Sequence, residues 1–163
     1  MINLKIIYKI IGQLLYIEAF LMAVCVAMAF AYGETDSMGF LFSTIITVGA
    51  ALIFRYMGLN ANNSLGRRDA YLLVTLVWVV FSFFGALPFY ITGYLPHFTD
   101  AYFETMSGFS TTGASVIDNV ERLPHALKFW RSLTQWIGGL GIVFFTIAII
   151  PSLVGGNMRV FTS

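Results

Sequence analysis

The sequence is short of charge. Only 10% of its 163 residues are Asp, Glu, Lys or Arg, whereas soluble globular domains carry roughly 25%. Nine basic residues against eight acidic ones leave a net charge of +1, so the chain lacks the basic surplus with which proteins bind nucleic acid. The single cysteine, Cys25, excludes a disulfide within the chain. These shortages argue against a soluble enzyme, a disordered segment and a nucleic-acid module.

Hydrophobic residues are abundant instead, at 58% of the chain. A helix needs roughly 20 mostly apolar residues to cross about 30 Å of hydrocarbon, and a helix satisfies its own backbone polar groups in lipid. Four runs are close to this length: residues 10–32, 38–54, 70–90 and 133–150. The sequence therefore predicts an all-α membrane protein with four transmembrane helices, the third of them kinked near its end by Pro88.

The stretch between the third and fourth runs is too short and too polar to be another span. Its apolar part, residues 98–110, predicts a short helix that Thr99 or Asp100 caps and Gly108 ends. Small polar residues follow, and non-helical backbone at membrane depth requires protein or water around it. We predict a re-entrant pore helix and a filter loop, with the partially negative end of the helix directed into the membrane, where it favours a cation.

The residues after this helix suit a potassium filter, which replaces the water around the ion with backbone carbonyls. Thr111, Thr112, Gly113 and Ala114 would supply those carbonyls, and the potassium ion would lie at Thr111 and Thr112. Gly113 is the residue here that takes positive φ without steric cost. The stretch TTGAS keeps the first threonine and the central glycine of the TVGYG filter of potassium channels.

Two longer motifs resemble a known family. SGFSTTGAS at 107–115 and RSLTQWIGGLG at 131–141 are similar to the first pore repeat of the Trk/Ktr/HKT potassium-uptake proteins, most of all the bacterial TrkH branch. The resemblance implies two extra N-terminal helices and a cytoplasmic loop over residues 1–69. Residues 70–163 would then be the first of four helix–pore–helix repeats around one pore. In this family glycine at the central filter position goes with potassium preference and serine with sodium permeation, so Gly113 favours potassium.

The same resemblance implies the partners. The chain would close a pore with the remaining repeats of the same polypeptide or with identical subunits, within a lipid bilayer. Family members are homodimers controlled by a cytoplasmic nucleotide-binding ring. Potassium would be the transported substrate and not a cofactor, and the protein would not be an enzyme. One visible repeat leaves two hypotheses open, an N-terminal fragment of a longer transporter or a short subunit that assembles.

Charge sets the expected orientation in the inner membrane. With the N- and C-termini in the cytoplasm, six of the nine basic residues are inside: Lys5, Lys9, Arg55, Arg67, Arg68 and Arg159. Six of the eight acidic residues are then outside: Glu34, Asp36, Asp100, Glu104, Asp118 and Glu121. The pore helix would enter from the outer face.

Other hypotheses remain beside potassium uptake. An intramembrane serine protease would use Ser110 with His97 or His125, but the GFSTT stretch lacks the Gly-x-Ser-x-Gly turn of such a nucleophile. A structural or assembly subunit without ion contact is the alternative that stays open. Glu18 is an ionisable residue within the first apolar run, and its role is either a structural neighbour contact or a function.

Overall fold

The structure is a computed structural model that describes residues 3–62 and 65–154, with side chains described for all of these except Arg67 and residues 145–154. Every regular element in this part is helical. The α-helices are α1 (Leu4–Ala31), α2 (Ser37–Met57), α3 (Arg67–Gly85), α4 (Leu87–Ile91), α5 (Phe98–Phe109) and α6 (His125–Val154), and one 3-10 turn covers Val120–Arg122. The expected all-α class is confirmed.

Three helical stretches are long and apolar enough to cross a membrane: Leu4–Ala31, Ser37–Met57 and Arg68–Ile91. They match the first three predicted runs. The first helix begins earlier than predicted, because Lys5 and Lys9 continue it instead of ending it, as long basic side chains at a membrane edge can. The fourth predicted run falls on the backbone of α6, and its side chains from residue 145 onward lie outside the described part of the chain.

The third span is interrupted at the position where the sequence predicts a kink. α3 ends at Gly85, and α4 begins at Leu87 with Pro88 in its first turn. Proline has no N–H to donate to the carbonyl four residues earlier, which breaks the regular hydrogen-bond ladder. The carbonyl of Gly85 is satisfied from outside the helix, because the indole Nε1 of Trp130 donates to it at 2.9 Å. The predicted kink is confirmed.

Two apolar clusters hold the helices together. The cluster nearer the α1–α2 loop includes Met22, Cys25, Phe40, Phe89 and Trp130. The cluster nearer the N-terminus includes Ile7, Ile11, Leu15, Phe81 and Phe109. Many large apolar side chains remain exposed on the outside of the bundle, such as Phe20 on α1 and Ile53 on α2. An apolar exterior of this extent suits lipid rather than water.

One end of the bundle joins the start of α1 to the start of α3. The backbone N–H of Asn3 donates to Asp69 Oδ1 at 3.0 Å, and the N–H of Gly66 donates to Asp69 Oδ2 at 3.0 Å. The Asn3 side chain also donates to the carbonyl of Asn62, in the connection between α2 and α3. The N-terminus and the α2–α3 connection therefore lie at the same end.

The opposite end joins the α1–α2 loop to the start of α6. The carboxylate of Glu34 accepts hydrogen bonds from the backbone N–H groups of His125 and Ala126. Residues before α5 and after it line one cavity of about 250 Å³, among them Tyr94 and Leu123. The segment that leads into α5 and the segment that leads into α6 therefore lie close together at this end of the bundle.

Candidate functional site

The short helix α5 leads into the candidate site. It begins at Phe98, and no side chain caps it, so the predicted cap at Thr99 or Asp100 is wrong. Asp100 lies instead within the first turn, where its charge favours the helix dipole. The helix ends at Phe109 and not at Gly108. Gly108 stays helical and allows a close approach, because a Cβ at this position would lie 3.1 Å from the Cβ of Thr134 on α6.

The backbone of residues 110–115, which we call the 110–115 loop, is left-handed at two positions. Gly113 has a φ of +76°, so the predicted positive φ is confirmed. Thr111 has a φ of +56°, a conformation that costs a β-branched residue on the order of 1–3 kcal/mol. Strain of this kind persists only where surrounding contacts hold it, so the loop must be fixed by its neighbours.

Ser107, in the last turn of α5, holds the loop from inside. Its carbonyl accepts the N–H of Thr112 at 3.0 Å and that of Gly113 at 3.5 Å. Its hydroxyl donates to the carbonyl of Ala114 at 2.6 Å. A further bond of 2.8 Å joins the hydroxyls of Ser110 and Thr112. The loop is therefore folded back onto the end of its own helix.

A buried ion pair fixes the far side of the loop. Glu104 Oε1 accepts from Arg131 Nε at 2.7 Å, with side-chain exposures of 2% for Glu104 and 25% for Arg131. The same carboxylate accepts the hydroxyl of Ser115 at 2.9 Å and the N–H of Val116 at 3.0 Å. Because charge-assisted hydrogen bonds are stronger than neutral ones, this carboxylate ties α5, the loop and α6 into one unit.

The glycines of α6 provide the surface on which α5 ends. A Cβ at Gly138 would lie 2.7 Å from the carbonyl carbon of Phe109, so only glycine allows the two backbones to approach this closely. Gly141 faces Trp78 of α3, with 3.4 Å between the position of its missing Cβ and the ring. Gly138 and Gly141 therefore form a close-packing surface of α6 against its neighbours.

The carbonyl groups of the first three predicted site residues remain available. Within the part of the chain that the structure describes, no hydrogen bond is donated to the carbonyls of Thr111, Thr112 or Gly113. All three residues are exposed at the surface of the chain. The carbonyl of Ala114 differs, because one of its lone pairs is taken by Ser107. Free carbonyls beside the partially negative end of α5 make a surface that suits a cation and not an anion.

The four predicted site residues thus stand side by side in one loop. The sequence alone predicts Glu104 and Arg131 only as charged residues outside the membrane. In the structure they form the ion pair that holds the loop. The two residues are 27 positions apart, so the sequence does not indicate that they form a pair. The one indication that Arg131 belongs to the site is that it is the first residue of the RSLTQWIGGLG motif. Ser107 gives no signal beyond its place in SGFSTTGAS.

These features define a helical membrane protein that carries a short helix and a carbonyl-bearing loop between long apolar helices. Comparison with known proteins specifies it further. A model of the TrkH family, described as a cation transport protein, matches residues 37–162. The chain is 35% identical over 160 residues to the Trk system potassium uptake protein TrkH of Halomonas elongata, which covers 98% of this chain and 33% of that protein. It is 32% identical over 161 residues to the protein of the same name from Escherichia coli K12, again over 98% and 33% of the two chains.

A solved structure agrees with these sequences. The crystal structure of the potassium transporter TrkH from Vibrio parahaemolyticus matches with a TM-score of 0.85 and 32% identity, over 92% of this chain and 32% of that one. The chain belongs to the TrkH family, a family of transporters and not of enzymes. It spans about a third of the length of the curated relatives that it matches.

Proposed function

We propose that this chain takes part in potassium uptake across the cell membrane and supplies the first pore repeat with its share of the selectivity filter. The observation that carries the proposal is the 110–115 loop, in which the exposed residues Thr111, Thr112 and Gly113 have free carbonyls while hydrogen bonds to Ser107 hold the backbone. The curated relatives are named potassium uptake proteins, which supports potassium as the ion.

In this proposal the potassium ion binds at Thr111 and Thr112, with Gly113 and the second lone pair of Ala114 as further oxygen ligands. Carbonyls from one loop approach an ion from one side only, whereas a filter must replace the whole hydration shell. The exposed face of the loop therefore requires further loops around a common axis. We assign these to the remaining repeats of a longer polypeptide or to identical subunits.

The architecture follows the same logic. Residues 1–69 form two N-terminal helices and a cytoplasmic loop, and residues 70–163 form a helix–pore–helix repeat with α6 as the fourth transmembrane helix. α5 and its loop are re-entrant in this proposal. The support is that Tyr94 and Leu123, on either side of this segment, line one cavity at the end of the bundle where Glu34 binds His125.

The orientation that we propose has both termini in the cytoplasm and the protein in the inner membrane. The basic excess supports this, and Asn3 lies with Asp69 and Asn62 at the end where the basic residues are concentrated. Arg159, which counts toward that excess, lies outside the described residues. The homodimer and the cytoplasmic nucleotide-binding ring are supported by the family resemblance.

The experiment is the substitution Gly113→Ser in the full-length protein, expressed in cells that lack their own potassium uptake. A Cβ at φ +76° strains the loop and redirects a carbonyl, so the preference for potassium over sodium should fall several-fold. Gly33→Ser is the matched control, because Gly33 has a φ of +66° and open space around it, far from the loop. Gly33→Ser therefore introduces the same backbone strain at a position outside the filter.

The alternative is a structural subunit that assists assembly without touching an ion. It predicts that Gly113→Ser changes only the amount of protein in the membrane. Equal preference for potassium in the variant and the parent, at equal amounts in the membrane, would exclude the filter role.

A further inference from the structure

Glu18 is a carboxyl group that the proposed filter does not use. It lies within α1, outside the proposed pore repeat, and it is only 1% exposed. Both carboxyl oxygens are fully enclosed, and neither has a hydrogen-bond partner among the residues that the structure describes. A polar group in this situation is rare in a membrane helix and calls for an explanation.

Its neighbours belong to the pore repeat. A Cβ placed on Gly85, where α3 breaks, would lie 3.0 Å from Glu18 Oε1. The same Cβ would lie 2.7 Å from the methyl carbon of Thr105 and 3.0 Å from the ring of Phe109, both on α5. The carboxyl end of Glu18 therefore lies at the point where α1, the break after α3 and the pore helix α5 meet.

Trp130 extends this junction to α6, because its indole donates to the carbonyl of Gly85. Four helices thus converge on one glycine. The side chain that enters the junction from α1 therefore lies beside the same glycine as Phe109, which is the last residue of α5 before the 110–115 loop. Because Phe109 and Ser110 are consecutive in the chain, a shift of Phe109 would also shift the start of the loop.

The junction fixes the state of the carboxyl group. An ionised carboxylate without a partner is strongly disfavoured in an apolar interior. The ion pairs in the described part of the chain join Glu34 to His125 and Glu104 to Arg131, and neither includes Glu18. Neither carboxyl oxygen of Glu18 reaches the surface of the described part of the chain.

We infer that Glu18 is a positioning residue for ion selection: as a neutral acid it fills the junction at Gly85 and seats the end of the pore helix from outside the pore repeat. The inference rests on the proposed function, since it names a further residue on which the same filter depends. The shape and contact of Glu18 matter in this role, and its ability to carry charge does not.

Two substitutions separate contact from charge in the full-length protein. Glu18→Gln keeps the length and planar end of the side chain and removes the acid, so the preference for potassium over sodium should stay within about 1.5-fold of the parent. Glu18→Asp keeps the acid and withdraws it by one methylene, so the preference should fall by about threefold or more. Both are measured as uptake of the two ions at matched amounts of protein in the membrane, with Gln13→Ala, at an exposed position of α1, as the control.

The inference fails if Glu18→Gln changes the preference for potassium or if Glu18→Asp does not. A Gln variant that loses the preference for potassium, or that no longer reaches the membrane, would mean that the acid itself is required. An Asp variant with unchanged preference would mean that the contact at Gly85 does not matter. Gly113→Ser is measured in parallel: if it changes the preference and Glu18→Asp does not, only the role of Glu18 fails, whereas no effect of Gly113→Ser removes the filter itself.

Discussion

The ion pair between Glu104 and Arg131 gives the sharpest prediction about what holds the loop. Replacing Arg131 by Met keeps most of the side-chain volume but removes the cation that binds Glu104 Oε1. Glu104 is buried, so its carboxylate would stay in the protein interior with only the Ser115 hydroxyl and the Val116 N–H as donors.

The cost follows from burial. Removing one partner of a fully buried ion pair destabilises a protein by about 3–5 kcal/mol. The Arg131 side chain is 25% exposed, so water compensates in part, and we expect about 2–3 kcal/mol for Arg131→Met. Without its cation, the Glu104 carboxylate keeps only the two neutral donors on the loop side, Ser115 and Val116, which hold it less firmly than a charged partner does. The loop should therefore loosen as well.

The assay combines thermal unfolding of the purified full-length protein with uptake of potassium and sodium. Arg131→Met should lower the unfolding temperature and the preference for potassium, and Arg122→Met, at an exposed position, should change neither. Adding Glu104→Gln to Arg131→Met should restore part of the stability, since no unpaired charge then remains buried. Strictly additive losses in the double variant, or an Arg131→Met protein as stable and selective as the parent, would refute the reasoning.

Two further predictions concern packing and topology. Gly138→Ala should greatly reduce the amount of folded protein, because the added Cβ would collide with the backbone of Phe109. Gly49→Ala is the control and should be tolerated, because the space around Gly49 is open. Immunoblots of membranes measure the amount of both variants, and a normal amount of the Gly138 variant would contradict the close contact. In a Cys25→Ser background, single cysteines placed in the α1–α2 loop and in the connection between α5 and α6 should react with a membrane-impermeant reagent on intact cells. A single cysteine in the α2–α3 connection should not react. The reverse pattern would invert the proposed orientation. The positions are Thr35 and Asp118 for the external loops and Asn62 for the connection.

The long helices were predictable because each is specified by a local property. An apolar run of sufficient length has no alternative to a helix in lipid, and a proline in the interior of such a run, here Pro88, interrupts the backbone hydrogen-bond ladder. The positive φ at Gly113 was predictable for the same local reason. The ends of α5 were not, because Gly108 lies within the helix and packs closely against Thr134, a residue 26 positions later in the chain.

The contacts behind the loop depend on the fold in the same way. Thr111 adopts a conformation that its own side chain disfavours, so local preference predicts the wrong backbone there. Nothing near Glu104 in the sequence indicates that it is buried, since its partner Arg131 comes from α6. The sequence identifies which residues form the candidate site, and the packing of α5 against α6 determines what supports them.

Glu34 has a consequence for the order in which the protein is assembled. The start of α6 follows Pro124 and has no polar side chain of its own to accept the free N–H groups of His125 and Ala126; the acceptor is supplied from 91 residues earlier in the chain. His125 also stacks on Tyr32, with ring centroids 4.3 Å apart. Because a chain is synthesised from its N-terminus, the α1–α2 hairpin exists before α6 does and offers a finished docking point for it. The two N-terminal helices then act as a template that sets where the last helix begins, and through it where α5 and the loop come to rest.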